Sequence, residues 1–333
     1  MKGSKLQLMA ILLTIMFLFC SCSTTDNVNQ AKNKDSVKKS GKIVIHDILD
    51  NEIVLDKPTE RIALQWGGAG GAFMTLAALD KEHFQDRVVA LDTSLQETRK
   101  DMWDQYSKDV PKLKEIPTIG WLESNEFSVE KLISLKPEVF ILPTGLKANV
   151  SVTLENQLKD AGIQIAYINY HSQKLEDHIR STEILGQLIG KEKEANELNK
   201  FYREQIEVVT EKIKTLNKKK PTVYFEVGMK GPKEYFTTHG KGYMFGEMIE
   251  IAGGDNVSKN IKNTQVASPE LVLGSNPDII IIGGSYWPSF PDSMRLGFAC
   301  TPEQAQNSLK SFTTRDGWQN LKAVKNKQVY GLH

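Results

Sequence analysis

A glycine-rich run is the first segment whose residue types suit ligand chemistry. Trp66-Gly67-Gly68-Ala-Gly-Gly71 lies between an aliphatic run that predicts a strand and a helical pattern over residues 72–79. Glycine lets a backbone approach a ligand closely, and free N–H groups at a helix start favour anions. The run lacks the Lys-Ser/Thr of a phosphate loop and the full GxGxxG spacing of a dinucleotide site. We therefore expect Trp66, Gly67 and Gly68 to face a ligand, with a merely tight turn as the alternative.

Two further loops that follow predicted strands carry aromatic residues. Residues 228–243 contain Tyr235, His239 and Tyr243, and residues 283–291 contain Trp287. Ligands of open α/β sheets bind outside the carboxyl ends of the strands, so we expect these side chains to line a cleft for a bulky ligand. The alternative is that the aromatic rings only fix the loops to the fold.

Sequence patterns for covalent catalysis are absent. The 333 residues contain no HExxH, GxSxG, CxxC or Walker motif, and the six histidines are scattered without metal-ligand spacing. This absence argues against hydrolases and zinc enzymes, whose chemistry requires such groups close together. Lys plus Arg number 42 against 41 for Asp plus Glu, so the formal net charge is +1 and provides no global basic field with which to hold nucleic acid.

Short aliphatic runs alternate with helical patterns along the chain, which predicts an α/β fold with mainly parallel sheets. Ile279-Ile-Ile-Ile282 is apolar on both faces and suits a strand covered by helices on each side. The predicted strands are residues 61–65, 87–91, 139–142, 163–168, 222–227 and 279–282.

A repeated segment indicates two similar halves. The pattern of residues 128–142 returns in residues 268–282. Each copy has a Ser placed as a helix N-cap, a Glu in the first turn, a Pro that stops the helix and a buried strand. Because one copy falls in each half, we predict two Rossmann-like lobes built on the same plan.

A long helical stripe separates the halves. Apolar residues recur every three or four positions from Ala195 to Leu216, which predicts one amphipathic helix of about 33 Å. We assign residues 43–190 to the N-terminal lobe, 191–218 to a connecting helix and 219–333 to the C-terminal lobe, with the ligand cleft between the lobes. A core helix of one larger domain is the alternative.

The N-terminus resembles a bacterial lipoprotein signal. Lys2 and Lys5 precede an apolar run that ends in Leu18-Phe19-Cys20-Ser21-Cys22, which looks like a lipobox with Phe19 in place of the usual Leu. We expect residues 1–21 to be a signal peptide, Cys22 to be lipidated and residues 22–42 to form a polar tether. An ordinary cleaved export signal or an uncleaved anchor is the alternative. Cys300 is then left alone, so the mature chain has no internal disulfide.

Taken together, these segments resemble the substrate-binding proteins of ABC importers for iron–siderophore, haem and cobalamin. Ile-Ala-Gly253-Gly254-Asp-Asn256-Val and residues 315–330 add to the resemblance, which covers residues 43–333. It implies a bilobal binder hinged on one helix, with lobes that barely move and a shallow cleft between them. It also implies that Glu130 and Glu270, one on each lobe, meet arginines of the permease dimer. Surface partners of the helix dipole are the alternative role for both.

The resemblance also bears on the cargo. Cobalamin binders carry tryptophans where this chain has Thr144-Gly145 and Asn263-Thr264, so cobalamin is disfavoured. With haem as cargo, Tyr235 or His239 would be the axial ligand; otherwise no protein atom is expected to contact the metal. Thr144 is expected among the ligand-binding residues, and an anionic iron(III) chelate also needs Arg and aromatic partners. The candidates for these partners are Trp66, Trp121, Tyr243, Trp287, Arg295 and Arg315.

We therefore expect an exported, monomeric binding protein, anchored through Cys22 to the outer face of the bacterial cytoplasmic membrane or facing the periplasm. It would deliver an iron chelate, a ferric siderophore before haem or cobalamin, to an ABC permease and its ATPase. No covalent chemistry is expected of such a binding protein, so we predict that it is not an enzyme. An exported α/β enzyme and a non-transport surface lipoprotein are the alternatives from other classes. The family normally continues with helices after the strand at Val329-Tyr330, so we expect a C-terminal lobe that is less fully covered.

Overall fold

Two four-stranded parallel sheets form the framework of the protein, and along the chain one precedes and the other follows a long helix. The computed structural model describes residues 41–66, 71–216 and 218–333, which belong to one compact unit. The predicted signal peptide, Cys22, nearly all of the tether, Gly67 and Gly68 lie outside the described residues. Within the described ranges, no helix combines the length and the apolar character needed to cross a bilayer.

The N-terminal lobe is built on a parallel sheet with the strand order β4 (Val88–Ala90), β3 (Ile62–Leu64), β5 (Val139–Pro143) and β6 (Gln164–Ile168). All five residues of β5 are buried. Val139 and Ile141 belong to one apolar layer, and Phe140 and Leu142 belong to the layer on the opposite face, as the two-residue period of a strand requires. The strands are β1 (Ile43–His46), β2 (Glu52–Leu55), β3 (Ile62–Leu64), β4 (Val88–Ala90), β5 (Val139–Pro143) and β6 (Gln164–Ile168).

Helices cover both faces of this sheet, as the uninterrupted apolar strand predicts. The helices are α1 (Ala72–Leu79), α2 (Phe84–Arg87), α3 (Ser94–Thr98), α4 (Lys100–Asp109), α5 (Val129–Ser134), α6 (Val152–Asp160) and α7 (Leu175–Ile189).

The C-terminal lobe repeats the plan with a second parallel sheet. Its strand order is β12 (Val329–Leu332), β11 (Ile279–Gly283), β7 (Thr222–Val227) and β9 (Asp255–Asn256). Strands β8 and β10 pair separately as an antiparallel ribbon. The strands are β7 (Thr222–Val227), β8 (Thr237–His239), β9 (Asp255–Asn256), β10 (Thr264–Val266), β11 (Ile279–Gly283) and β12 (Val329–Leu332). The helices are α9 (Met244–Ile251), α10 (Pro269–Ser275), α11 (Pro302–Phe312) and α12 (Lys322–Lys325).

The repeated segment folds alike in the two lobes. The Ser128 side chain accepts a hydrogen bond from the backbone of Lys131 at the start of α5. Ser268 does the same with Leu271 at the start of α10. Each helix is followed by a central strand of its sheet. The predicted α/β class and its two lobes are confirmed.

Helix α8 (Glu192–Lys214), with 23 residues, is the longest helix in the described part of the chain and lies between the two sheets in chain order. Near its start, Ala195 and Asn199 are buried, and the Asn199 amide donates to the Ile179 carbonyl in α7. Near its end, Ile213 packs against Gly253 of the C-terminal lobe, where a Cβ atom would come within 2.8 Å of the Ile213 side chain. The helix therefore contacts both lobes, and the prediction of one connecting helix is confirmed.

A buried ion pair stands at the centre of the C-terminal lobe. The Arg315 guanidinium donates to both carboxylate oxygens of Glu226, at 2.7 and 2.9 Å, and its other donors reach the carbonyls of Gly231, Pro232 and Glu234. It also lies 4.4 Å from the centre of the Tyr235 ring. Since its donors are used inside the lobe, the structure gives Arg315 a structural position instead of the predicted ligand contact.

Tyr235 belongs to the same cluster. Its hydroxyl accepts a hydrogen bond of 2.8 Å from the Trp318 indole, and its ring packs against the apolar core of the lobe. Trp318 itself is fully buried. The loop from residue 228 therefore turns Tyr235 toward the core instead of the cleft. This is the alternative role, in which an aromatic ring fixes the loop to the fold.

His239 is a second buried polar side chain of this lobe. It ends β8 with 3% of its surface exposed, and its ring stacks on Phe225 and Phe245 with centroids 5.3 and 5.8 Å apart. Burial, together with the field of His171, lowers the pKa of His239 to about 4. The imidazole is therefore neutral in the folded protein at neutral pH.

Breaking the buried ion pair should destabilise the fold. Glu226→Gln leaves the Arg315 charge in the core without its counter-ion, and we expect the free energy of unfolding to fall by about 3 kcal/mol. Urea unfolding followed by circular dichroism measures the change. Lys322→Ala, which removes an exposed partner of Asp278 in the same lobe, is the control and should change stability far less. A loss below about 1 kcal/mol for Glu226→Gln would contradict this role.

The buried imidazole predicts a pH dependence of stability. The unfolded chain binds a proton at His239 below about pH 6.5 and the folded chain only near pH 4, so stability is full above pH 6.5 and declines as the pH falls. Wild type should lose roughly 2 kcal/mol more than His239→Phe between pH 6.5 and about pH 5. Urea titrations at several pH values measure the difference. His83→Gln alters an exposed imidazole and should keep the wild-type loss; equal losses in wild type and His239→Phe would refute the assignment.

Candidate functional site

A cavity of about 540 Å³ lies between the two lobes. This volume is within the range of about 300–1,000 Å³ that is usual for small-molecule sites. The N-terminal lobe contributes α1 and the segment after β6, helix α8 forms part of the wall, and the C-terminal lobe contributes the ends of its central strands. The lining side chains from the first lobe and α8 include Met74, Arg99, Tyr170, His171, His178, Leu198 and Tyr202.

The opposite wall is aromatic and aliphatic. Phe225 on β7 and Phe245 in the first turn of α9 stack with centroids 4.3 Å apart and ring planes inclined by 19°. Trp287 follows the carboxyl end of β11. Rings of this kind offer a large apolar contact surface to a ligand. The lining residues from the C-terminal lobe include Phe225, Val227, Met244, Phe245, Ser285 and Trp287.

His178 is held in a fixed orientation in the N-terminal wall. Its ring stacks on Tyr202 with centroids 5.1 Å apart and meets the edge of Tyr170 at 5.1 Å. Its Nε2 lies 2.8 Å from the Tyr170 carbonyl oxygen, which can only accept, so Nε2 carries the proton. Burial lowers the pKa of His178, and the neutral ring is therefore favoured.

The tyrosines of the same wall are also neutral. Burial raises the pKa of Tyr170 to about 12, and its hydroxyl is hydrogen-bonded to Thr182 over 3.0 Å. Burial likewise raises the pKa of Tyr202. These side chains offer the ligand apolar surface and neutral polar groups, with no phenolate.

The lobes contact each other on both sides of the cavity. On one side, the Met244 N–H donates to the His171 carbonyl over 2.9 Å. On the other, the Phe298 N–H donates to Oδ2 of the buried Asp101 over 3.0 Å, and the His333 Nε2 lies 3.3 Å from the same oxygen. These contacts hold the two walls at a fixed spacing.

Three of the eight non-glycine residues with positive φ in the described part of the chain lie in or beside the cavity wall. Trp66, Gln173 and Met244 have φ values of +52°, +56° and +44°, in the left-handed region that costs a non-glycine residue of the order of 1 kcal/mol. Gln173 and Met244 line the cavity, and Trp66 packs against His171, which also lines it. Such strain persists only where the surrounding structure fixes it, as at binding sites.

Of the side chains predicted to bind ligand, Trp287 lies in the cavity wall. Trp66 stands at its margin, where the ring meets His171 at 5.0 Å and the indole N–H donates to Glu123 over 2.8 Å. Trp66 therefore contacts a residue of the cavity lining but does not line the cavity itself.

Trp121 and Thr144 lie at the same end of the N-terminal sheet, outside the cavity lining. The Trp121 indole donates to the Thr93 hydroxyl over 2.7 Å. Thr144 begins a 3₁₀ turn directly after β5 and is half-buried. Both residues lie at the sheet edge where they were predicted. A position after a strand end was therefore not sufficient to predict which side chains line the cavity.

Three predicted residues of the C-terminal lobe also lie outside the lining. His239 is covered by the rings of Phe225 and Phe245, and Tyr243 meets the His239 ring at 5.8 Å. The Arg295 guanidinium donates to the Pro291 carbonyl over 3.1 Å within its own loop. The C-terminal wall therefore presents phenylalanines in front of the imidazole that the sequence placed in the cleft.

Several lining residues were missed from the sequence. Phe225 lies inside a predicted strand and Tyr202 inside the predicted helical stripe. At such positions the sequence pattern predicts that an aromatic ring packs in the hydrophobic core. Tyr202 was nevertheless the single aromatic member of that stripe, and this could have marked it as a contact for a ligand. Tyr170 and His171 follow β6 and satisfy the rule of strand carboxyl ends, which could have found them.

Glu130 and Glu270 occupy equivalent surface positions. Each lies in the first turn of a Ser-capped helix, and each is exposed. The backbone N–H of Glu270 and, to a smaller extent, the Ser268 hydroxyl lower the pKa of the Glu270 carboxyl, so that it is ionised at neutral pH. One acidic side chain thus projects from each lobe.

Comparisons with known proteins place this geometry in a family. The profile of the family described as Periplasmic binding protein matches residues 76–333. The crystal structure of the TroA-like periplasmic binding protein FepB from Veillonella parvula is 44% identical, with a TM-score of 0.81 over 87% of this chain and 84% of that chain.

Two curated relatives agree. The uncharacterized ABC transporter substrate-binding lipoprotein YvrC of Bacillus subtilis (strain 168) is 26% identical over 323 residues, covering 97% of this chain and 87% of YvrC. The high-affinity heme uptake system protein IsdE of Staphylococcus aureus (strain MRSA252) is 31% identical over 224 residues, covering 66% of this chain and 67% of IsdE. The chain therefore belongs to the periplasmic binding protein family of ABC-importer substrate-binding proteins, whose members bind solutes for transport and are not enzymes.

Proposed function

We propose that this protein binds a bulky iron(III) chelate, a ferric siderophore, and delivers it to the permease of an ABC importer. The observation that carries the proposal is the 540 Å³ cavity between the lobes, with its aromatic walls. A cavity of this size and lining suits a compact organic complex better than a bare ion, which would need a close set of charged ligands. Among the described residues no group of three or more His, Cys, Asp or Glu side chains could hold a metal ion.

The hydroxyl groups of the cavity support binding without covalent chemistry. The Thr182 hydroxyl is paired with Tyr170, and the Ser285 hydroxyl donates to the Thr98 carbonyl. These side chains fix the walls in place. Binding would then follow from burial of the ligand against the rings, at about 25 cal/mol per Å² of apolar surface removed from water.

Haem is the second candidate cargo. It is favoured by the relative named as a heme uptake protein and by the His and Met side chains in the cavity walls, since neutral imidazole and thioether groups ligate iron. Tyr235 and His239, the ligands first considered, are turned into or covered by the core. With haem, the ligands would have to come from side chains that line the cavity, such as His171 or Met244.

The membrane attachment belongs to the same proposal. Lipidation of Cys22 would tether a monomeric binding protein outside the cytoplasmic membrane, within reach of the permease. The name of YvrC, a substrate-binding lipoprotein, supports this.

Tryptophan fluorescence tests the cargo, because Trp287 lies in the cavity wall. We expect saturable quenching at one-to-one stoichiometry by a ferric siderophore, and little by cobalamin, when the purified protein is titrated with ferric siderophores, haem and cobalamin. Trp287→Phe should lose part of the quenching amplitude. Trp103→Phe, which alters a tryptophan packed against the N-terminal core, is the matched control and should retain it. Saturation by haem alone would transfer the proposal to haem, and no saturation by any compound would contradict an iron-chelate cargo.

Docking on the permease is tested by charge reversal. The double variant Glu130→Lys, Glu270→Lys places positive charges against the arginines expected on the permease, so uptake by cells should fall at least about tenfold while cargo affinity stays unchanged. The control is Glu155→Lys, Glu303→Lys, which reverses the exposed first-turn glutamates of α6 and α11, also one in each lobe. Uptake should survive in the control. Equal uptake by both double variants, or a loss of cargo affinity, would contradict the docking role.

A further inference from the structure

We propose that Arg99 is the anion-binding residue of the cavity, so that the cargo carries a negatively charged group at one end of an apolar body. The proposal rests on the proposed function only in taking the cavity between the lobes as the binding site. Arg99 lies between α3 and α4 of the N-terminal lobe and lines the cavity.

The charges around the cavity favour this assignment. Among the described residues that line it, Arg99 is the one Asp, Glu, Lys or Arg side chain. Burial favours the neutral form of His178 and His333, whose pKa values are lowered. An anionic ligand therefore finds its permanent positive charge at Arg99.

The guanidinium of Arg99 is not satisfied by the protein. Its Nε is buried and has no hydrogen-bond partner in the described part of the chain. Its hydrogen bond within the described residues is a long one, 3.5 Å from Nη2 to the His333 Nε2. Arg99 is half-buried, so part of its guanidinium is removed from water without a protein acceptor in return. A carboxylate or a similar oxyanion matches the planar fork of its donors.

Asp101 is the acidic neighbour of Arg99, yet it is held by the other lobe. Its Oδ2 accepts from the Phe298 N–H at 3.0 Å and faces the His333 imidazole at 3.3 Å. Burial lowers the pKa of Arg99 and the field of Asp101 opposes this shift; a guanidinium remains protonated in proteins at neutral pH. Across the described residues, no carboxylate lies within the 4.0 Å of an ion pair with Arg99, so the guanidinium stays available to a ligand.

The apolar side chains of the other cavity walls favour an apolar body for the part of the ligand that does not contact Arg99. Met74 and Leu198 face the cavity from the side of the N-terminal lobe, and Phe225, Phe245 and Trp287 face it from the other. A ligand that fits both features has an apolar or aromatic body and one anionic end. Arg315 and Arg295, the arginines expected from the sequence, use their donors elsewhere, which leaves this role to Arg99.

A matched pair of dyes tests the proposal without iron. The dye 8-anilinonaphthalene-1-sulfonate and its uncharged counterpart N-phenyl-1-naphthylamine differ only by the sulfonate, and both fluoresce in apolar cavities. Wild type should bind the sulfonate dye more tightly than the neutral dye. Arg99→Gln should weaken binding of the sulfonate dye roughly tenfold to hundredfold, the usual effect of losing a charged hydrogen bond, and should change the neutral dye by less than about twofold.

Two further variants complete the test. Arg99→Lys keeps the charge but loses the fork of donors, and should retain an intermediate preference for the sulfonate dye. Arg295→Gln removes a guanidinium outside the cavity and should behave as wild type. Equal weakening of both dyes by Arg99→Gln, or an unchanged preference, would overturn the proposal. Because the dyes contain no iron, a failure of the iron-chelate function would leave this result intact, and the reverse also holds.

Discussion

The contacts that cross from one lobe to the other are the constraint on which the site depends. Asp101 receives the Phe298 N–H and faces His333, while the His171 carbonyl receives the Met244 N–H. The partners in each contact are far apart in the chain. A hydrogen bond to a buried carboxylate contributes about 1.5–3 kcal/mol, so these contacts together with helix α8 fix the spacing of two walls that neither lobe could enclose alone.

Within that frame, affinity and selectivity come from different groups. The aromatic and aliphatic side chains of Phe225, Phe245 and Trp287 provide surface that a ligand removes from water, which stabilises a complex without fixing its chemistry. Charge provides selectivity, because a single cation in an apolar cavity rejects ligands that leave it unpaired. The neutral state of His178 and the tyrosines leaves this choice to Arg99. The exposed Glu130 and Glu270 do not belong to the cavity lining, so their substitution leaves the cavity side chains unchanged.

The sequence predicted the framework because the signals for it are local. The apolar runs of β5, β7 and β11 and the stripe of α8 each carry their own periodicity, and the Ser-x-Glu repeat marks equivalent helices. The directions of loop side chains depend on distant partners and were harder to infer. Arg315 and Tyr235 turn inward because their hydrogen-bond partners, Glu226 and Trp318, are buried in the core. His239 is covered by the Phe225 ring of β7. Arg99 was missed because it lies between two helices, where the rule of strand ends does not apply.

The central claim is that cargo is held between the lobes, and the position of the iron tests it most directly. Crystals of the protein grown with the iron complex that quenches its fluorescence can be measured at the iron absorption edge. The account predicts one strong anomalous peak inside the cavity, between the side of His178 and Tyr202 and the side of Phe245 and Trp287. A peak on the outer surface of either lobe, with the cavity left free of cargo, would contradict it.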